Sequence, residues 1–319
     1  MNSPSYDHLH LEPISDGVYA VLARRGSGAA CNAAIVDLGD QCLVVDTFLT
    51  PLAARELRRA AESLTGNRVG YVVNTHHHPD HWLGNQVFDD AALITTHQAR
   101  RSMADVAEHF PACTGNTGQI AAIVQEERSS LDSEMDERAR TEIEDAIARW
   151  EVVLASVPQL RVSYPTYTFD GSVVFHGTKR EVQLIARGHG HSAGDCFVVL
   201  PADRIAILGD LAFFGCQPYM GDSDVQGWLA QLDWLQQSDV RTFVPGHGPI
   251  GTKQDLARQQ EYIKHLWAVV TRAVRDREPV QTVARRLLPT PLDVWSTNGL
   301  PLEVNVRVLY RRIADGQSG

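Results

Sequence analysis

Long apolar runs are missing from this chain of 319 residues. Nothing in it approaches the ~20 consecutive apolar residues that a membrane-spanning helix needs, so no membrane partner is expected. Paired cysteines are missing as well. The five present, at positions 31, 42, 113, 196 and 216, are scattered, odd in number and free of any Cys-x-x-Cys pair. That excludes a disulfide framework and reads as thiols of a reducing compartment, so a cytoplasmic location is expected. The opening residues, Met1 to His8, carry neither the basic nor the apolar region of a secretory signal. Basic clusters are short, none exceeding two residues, and the net charge is 29 − 39 = −10. A polyanion would meet net repulsion, and no nucleic-acid partner is expected.

What is present is an alternation of strands and helices. The first third holds short apolar runs broken by Gly and Asp: Gly17 to Ala23, then Ala33 to Leu38 and Cys42 to Val45 across the hairpin signal Gly39-Asp40. Thr50-Pro51 opens a helix as N-cap and first helical residue, and Gly66 stops it. Val69 to Val73 is a buried strand, Leu93 to Thr95 another, and His97 to His109 a helix. From about 118 to 157 the pattern is helical with a break expected near Arg128 to Asp132. Leu131, Met135, Ala139, Ile143, Ile147, Trp150 and Leu154 form one apolar stripe there, and Glu134–Arg138, Asp136–Arg140 and Asp145–Arg149 are candidate i,i+4 pairs. Glu126 to Glu151 carries ten acids against four arginines, read as a solvated helix face. Strands return at Val173 to Phe175, Val182 to Ala186, Cys196 to Leu200 and Arg204 to Leu208. Trp228 to Leu235 is helical, Thr242 to Val244 a strand, and Lys253 to Val274 a long helix opening a C-terminal helical extension over 253–319. The expectation is one α/β domain over 1–319 with a helical insertion at 118–157.

The densest chemistry lies at Thr75-His76-His77-His78-Pro79-Asp80-His81, immediately after the apolar strand 69–73. The carboxyl end of a strand is where open α/β sheets place their site residues. Neutral imidazoles crowded together in such a place point to a cation, histidine being the commonest metal ligand.

The spacing His76-x-His78-x-Asp80-His81 resembles the His-x-His-x-Asp-His signature of the metallo-β-lactamase superfamily. Its later motifs have counterparts in order. Gly190-His191-Ser192-Ala193-Gly194-Asp195 is similar to the family's Gly-His loop, Ile207-Leu208-Gly209-Asp210 to its strand-end Gly-Asp, and Val244-Pro245-Gly246-His247-Gly248 to its closing Pro-Gly-His. Leu43 to Thr47 looks like an early strand with its closing Asp46. The resemblance implies a four-layer αββα sandwich. It also implies two metal ions per chain, zinc first and iron or manganese as alternatives. His76, His78 and His191 would hold the first, leaving a fourth position open, as catalytic zinc requires. Asp80, His81 and His247 would hold the second, with Asp210 shared. Asp80 would also orient the zinc-activated hydroxide or take its proton. His77 and His189 are read as neighbours of the ligands, and Asp46 as a hydrogen-bonding support of the histidine loop.

The superfamily spans several chemistries, so membership does not name the substrate. Asp210 stands where zinc β-lactamases usually carry Cys or Ser, and Phe213 where acyl-homoserine lactonases place a Tyr. What remains is a hydrolase of an ester, thioester or lactone carbonyl on a small apolar or aromatic acyl substrate. β-Lactam amide hydrolysis is the alternative within hydrolases. A dinuclear iron oxidoreductase would need a redox partner, and a non-catalytic metal-binding module would leave ligand positions unfilled, whereas here all are filled. Trp82, Phe213, Phe214 and Tyr219 are candidate pocket-rim residues, with plain packing the other reading and Tyr219 a candidate oxyanion donor. The helical insertion is expected to form a lid over the pocket, a homodimer interface being its rival.

Overall fold

A computed structural model describes residues 5–287 and 302–316. Fourteen residues of the expected C-terminal extension, 288–301, and its last three, 317–319, lie outside the described residues, as do residues 1–4. The chain begins with an antiparallel ribbon, β1 (Leu9–Ser15), β2 (Val18–Ala23), β3 (Ala33–Asp37) and β4 (Cys42–Val45). The β3–β4 turn falls on Gly39-Asp40, with Gly39 in the left-handed region at φ 100°. Helix α1 (Pro51–Thr65) follows, its N-cap Thr50 accepting from the Ala53 amide and Gly66 closing it at φ 69°. Strands β5 (Val69–Val73) and β6 (Ala92–Thr96) then add in parallel, and α2 (His97–His109) leads away.

The insertion comes next, as α3 (Thr117–Ser133) and α4 (Glu137–Ser156), before β7 (Tyr167–Phe169) returns to the sheet edge. The second sheet is built from β8 (Ser172–His176), β9 (Glu181–Ile185), β10 (Phe197–Leu200), β11 (Ile205–Phe213) and, after α5 (Val225–Gln237), β12 (Thr242–His247). Helices α6 (Lys253–Arg275), α7 (Val280–Leu287) and α8 (Leu302–Ala314) complete the described chain. Spatial order is β1 to β7 in sequence in one sheet, and β12-β11-β10-β9-β8 in the other.

Two sheets with helices on both outer faces make the four-layer sandwich. Val18, Ala34, Val36, Val45 and Val73 from the first sheet meet Leu184, Val198, Ile207 and Val244 from the second in one buried core. The other face of the first sheet packs on Ala53, Ala54, Leu57 and Ala61 of α1. The outer face of the second packs on Trp228 and Leu232 of α5, Ile263 and Leu266 of α6, and Val306 and Leu309 of α8. Strands buried on both faces read as continuous apolar runs without alternation, and β3, β4, β10 and β11 are buried at every residue. Among the described residues no helix is long and apolar enough to cross a membrane. All five cysteines are free.

Three expectations differ from the structure. The second Gly-Asp strand does not end at Leu208. Gly209 takes φ 52° and shifts the register against β12, a bulge that re-aims Asp210 while the strand runs on to Phe213. The helical break falls at residues 134–136 instead of 128–132, because Asp136 caps α4 by accepting from the Ala139 amide. Met135 therefore sits in the turn, 89% exposed, and drops out of the apolar stripe. The acid–base pairs rearrange for the same reason. Arg140 donates to the carbonyls of Leu131 and Glu134, and Asp145 pairs with Arg25 across a loop.

The inter-sheet core sets stability, and Leu184 sits wholly within it. Leu184→Ala should cost about 2–5 kcal/mol by lost transfer and cavity terms. Urea unfolding followed by tryptophan fluorescence measures it; a surface-like change below about 0.5 kcal/mol would contradict this core assignment.

Candidate metal centre

All seven histidine and aspartate side chains singled out above come together where the two sheets present their strand ends. His76 Nε2 and His191 Nε2 each lie 3.0 Å from His78 Nδ1, and 3.6 and 3.4 Å from Asp210 Oδ2. The other Asp210 oxygen, Oδ1, lies 3.1 Å from His81 Nε2 and 3.3 Å from His247 Nε2. Asp80 Oδ2 closes this second group at 3.4 Å from His247 Nε2 and 3.7 Å from His81 Nε2. Two clusters, His76/His78/His191/Asp210 and His81/Asp210/His247, therefore share one carboxylate.

Local chemistry explains the approach. Gly246 lets β12 pass so close that a Cβ there would fall 1.9 Å from Asp210 Oδ1, and one at Gly209 would fall 2.3 Å from Thr75 Oγ1. Asn32 pins the closing Pro-Gly-His turn. Its Nδ2 donates to the Pro245 and Gly248 carbonyls, and its backbone N–H to Gly246 O. Asp195 holds the Gly-His loop by accepting from the Ser192 amide and hydroxyl, and its burial pushes it up to about 7.

The imidazoles are oriented from behind. Asp46 accepts from the Thr75 amide and hydroxyl and lies 2.7 Å from His81 Nδ1, leaving Nε2 to face inward. Thr75 Oγ1 stands 3.0 Å from His76 Nδ1, and Asp222 Oδ2 2.9 Å from His78 Nε2. Such outer partners fix tautomer and ring direction at metal sites. His77 and His189 point elsewhere: His77 is 3.7 Å from Asp222, and His189 Nε2 is 2.7 Å from the Asp222 carbonyl. Trp82 is not at the pocket rim. It is fully buried, donates to the His77 carbonyl and stacks on Tyr164, because the turn after His81 folds it into the core beside α2 and the insertion. Phe213 stacks on His247 at 5.0 Å, and Tyr219 lies 5.5 Å from His78, both lining the cavity above the centre. Phe214 lines the adjoining cavity instead.

The donors fit cations. Burial drives His76 and His191 well below the usual histidine range, so each offers a neutral lone pair. Asp210 stays ionised despite its burial because His247, His81 and His76 surround it. Burial opposes a charge on His81 too, but Cys31, Asp210, Asp46 and Asp80 outweigh it and hold its pKa well above normal. That corner calls for positive charge, and His81 Nε2 and Asp210 Oδ1 have no hydrogen-bond partner although buried. Two orphaned donor atoms facing each other are costly unless an ion satisfies both.

The comparisons agree with this arrangement. Residues 26–247 match the family profile of the metallo-beta-lactamase superfamily, and the chain belongs to that superfamily. The solved structure of a metallo-beta-lactamase from Pontibacter korlensis superposes with a TM-score of 0.56 at 18% identity, covering 80% of this chain and 99% of that one. A structure of VMB-1 gives a TM-score of 0.56 at 17% identity, covering 82% and 99%. A curated relative, the 2,4-dinitroanisole O-demethylase subunit alpha of Nocardioides sp. (strain JS1661), is 27% identical over 237 residues, 73% of this chain. The chain spans about half of that relative's length, 54%.

Asp46, Thr75, Asp195, Asn32 and Asp222 hold the donors in place, and of these only Asp46 was assigned that role from sequence. Asp222 had no signal, lying 144 residues from its partner His78 in a Gly/Pro loop. Asp46→Asn removes the carboxylate behind His81. It should weaken metal affinity at the His81/His247 corner about 10–100-fold while sparing the other cluster. Chelator competition with elemental analysis reads this; equal loss at both clusters would refute it.

Proposed function

We propose that this protein is a dinuclear metallo-hydrolase acting on an ester, thioester or lactone carbonyl of a small apolar or aromatic substrate. One observation carries the reading: two histidine clusters sharing Asp210 open into a cavity walled by Leu49, Phe110, Trp150, Phe213 and Tyr219. His76, His78 and His191 would hold one ion and Asp80, His81 and His247 the other, with Asp210 between. Zinc suits the set, and iron or manganese would be accepted by the same donors. When bound, such ions polarise a carbonyl oxygen and bring the pKa of water to roughly 7.

The chain's own residues supply the rest. Asp80 is the one carboxylate of the centre that is only half-buried and borders the cavity, which supports reading it as the group that orients the attacking water and accepts its proton. The aromatic walls desolvate and seat the acyl or aryl group. Glu127 of α3 and Ala146, Arg149 and Trp150 of α4 border the same cavity, which supports reading the insertion as a roof that shapes substrate choice. A second reading, cleavage of an aryl methyl ether, is favoured by the similarity to the 2,4-dinitroanisole O-demethylase subunit alpha. The same walls would accept an anisole ring.

Assays of p-nitrophenyl esters, thioesters, anisoles and a cephalosporin with metal-loaded protein decide among these. Ester or thioester turnover should exceed cephalosporin turnover by at least about tenfold in kcat/KM, since Asp210 adds negative charge where a β-lactam nitrogen anion would form. It should vanish with chelator and return with metal. Asp80→Asn should lower kcat about 100–10,000-fold, the usual range for a lost general base. Comparable cephalosporin and ester rates would overturn the reading.

A further inference from the structure

Arg149 is the anomaly of the cavity. Its side chain projects from α4 over the metal centre, bordering both the cavity that holds Asp80, Asp210 and His247 and the adjoining one lined by Arg25, Asn32 and Gly248. It is partly buried, and among the described residues its guanidinium has no hydrogen bond and no ion pair within 4.0 Å. Burial lowers its pKa, opposed at longer range by Asp80, Asp145 and Glu127, yet a guanidinium remains charged at neutral pH.

Two of those three acids are held elsewhere. Asp145 is bonded to Arg25, and Asp80 faces His81 and His247. Glu127, its pKa raised by burial and lowered by the Arg149 charge, acts on it only at longer range. A partly desolvated cation with no ion pair is costly. Cations bound below would deepen the imbalance, because Arg149 would then face like charge. An anion entering the cavity would supply the direct partner that these acids do not.

We propose that Arg149 is a specificity-determining residue that pairs with a carboxylate on the substrate, its reacting bond lying over the metal centre and its apolar part against Phe110 and Trp150. This rests on the hydrolase reading only for where the reacting bond lies. A monoanionic carboxylate fits best. The planar guanidinium matches it in two parallel hydrogen bonds, whereas a dianion would meet Glu127 and Glu142 on the same walls.

The test is binding of 3-phenylpropanoate and its neutral counterpart 3-phenylpropanamide to metal-loaded protein, measured by isothermal titration. The native chain should bind the acid at least about tenfold tighter than the amide. Arg149→Gln should erase that preference with metal content unchanged, and Arg149→Lys should retain part of it. Thermal unfolding of Arg149→Gln should be at or above the native midpoint, since the substitution removes a partly buried cation that has no ion pair. Equal binding of acid and amide by the native chain would overturn the proposal. So would an acid preference that survives Arg149→Gln, because the metals would then be holding the carboxylate. Turnover of p-nitrophenyl butyrate and mono-p-nitrophenyl succinate is followed separately. Failure of both esters, with the Arg149-dependent acid preference intact, removes the hydrolase reading and leaves the carboxylate subsite standing.

Discussion

The shared carboxylate of Asp210 is the constraint around which the rest of the site is arranged. Its two oxygens face four imidazoles, from His76 and His191 on one side and His81 and His247 on the other. A buried anion is tolerable only where positive charge or strong donors surround it, so the four histidines must arrive together. That requirement dictates the strand-end geometry. The bulge at Gly209 turns Asp210 inward, and the bare Cα of Gly246 lets β12 lie against it. A larger residue at Gly246 would collide with the carboxylate itself.

Around that centre the structure is layered by stiffness. The sheets meet in a continuous apolar core, and close packing there holds the loop ends in register. Asp46, Thr75, Asp195 and Asn32 then convert that register into side-chain direction through short hydrogen bonds. The insertion is different in kind. Helices α3 and α4 contribute no candidate metal donor, and much of their surface is exposed and acidic. Their contribution is to the cavity: Glu127, Ala146, Arg149 and Trp150 face the centre from above. The candidate metal donors belong to the sandwich, and part of the cavity wall to the added helices.

The division explains what the comparisons reach. Residues 26–247 carry the superfamily motifs, and similarity at 17–18% identity to solved structures speaks for the sandwich alone. The insertion's inward face has no motif, although its residues line the cavity above the centre. Fold and function separate along this line generally, since loops and insertions vary over a conserved scaffold.

Much was legible from the chain itself. Apolar runs marked the central strands, Thr50-Pro51 and Gly66 bounded α1 by local capping chemistry, and the histidine motifs picked out the seven side chains that the fold brings together. Each of these is encoded within a few residues, so short-range physics suffices to read it. The insertion's break was misplaced because Asp136 could serve as a helix cap or as a salt-bridge partner, and only folding selects one. Adjacency to His81 leaves Trp82 open to either rim or core, and only the turn decides, burying it against Tyr164. Asp222, Asn32 and Arg149 reach the centre from distant segments. Tertiary structure alone brought them there, because their roles depend on which groups face them across space. The sequence determined which residues could hold metal; the packing of sheet on sheet and helix over cavity decided which carboxylates face histidines and which cation has no ion pair.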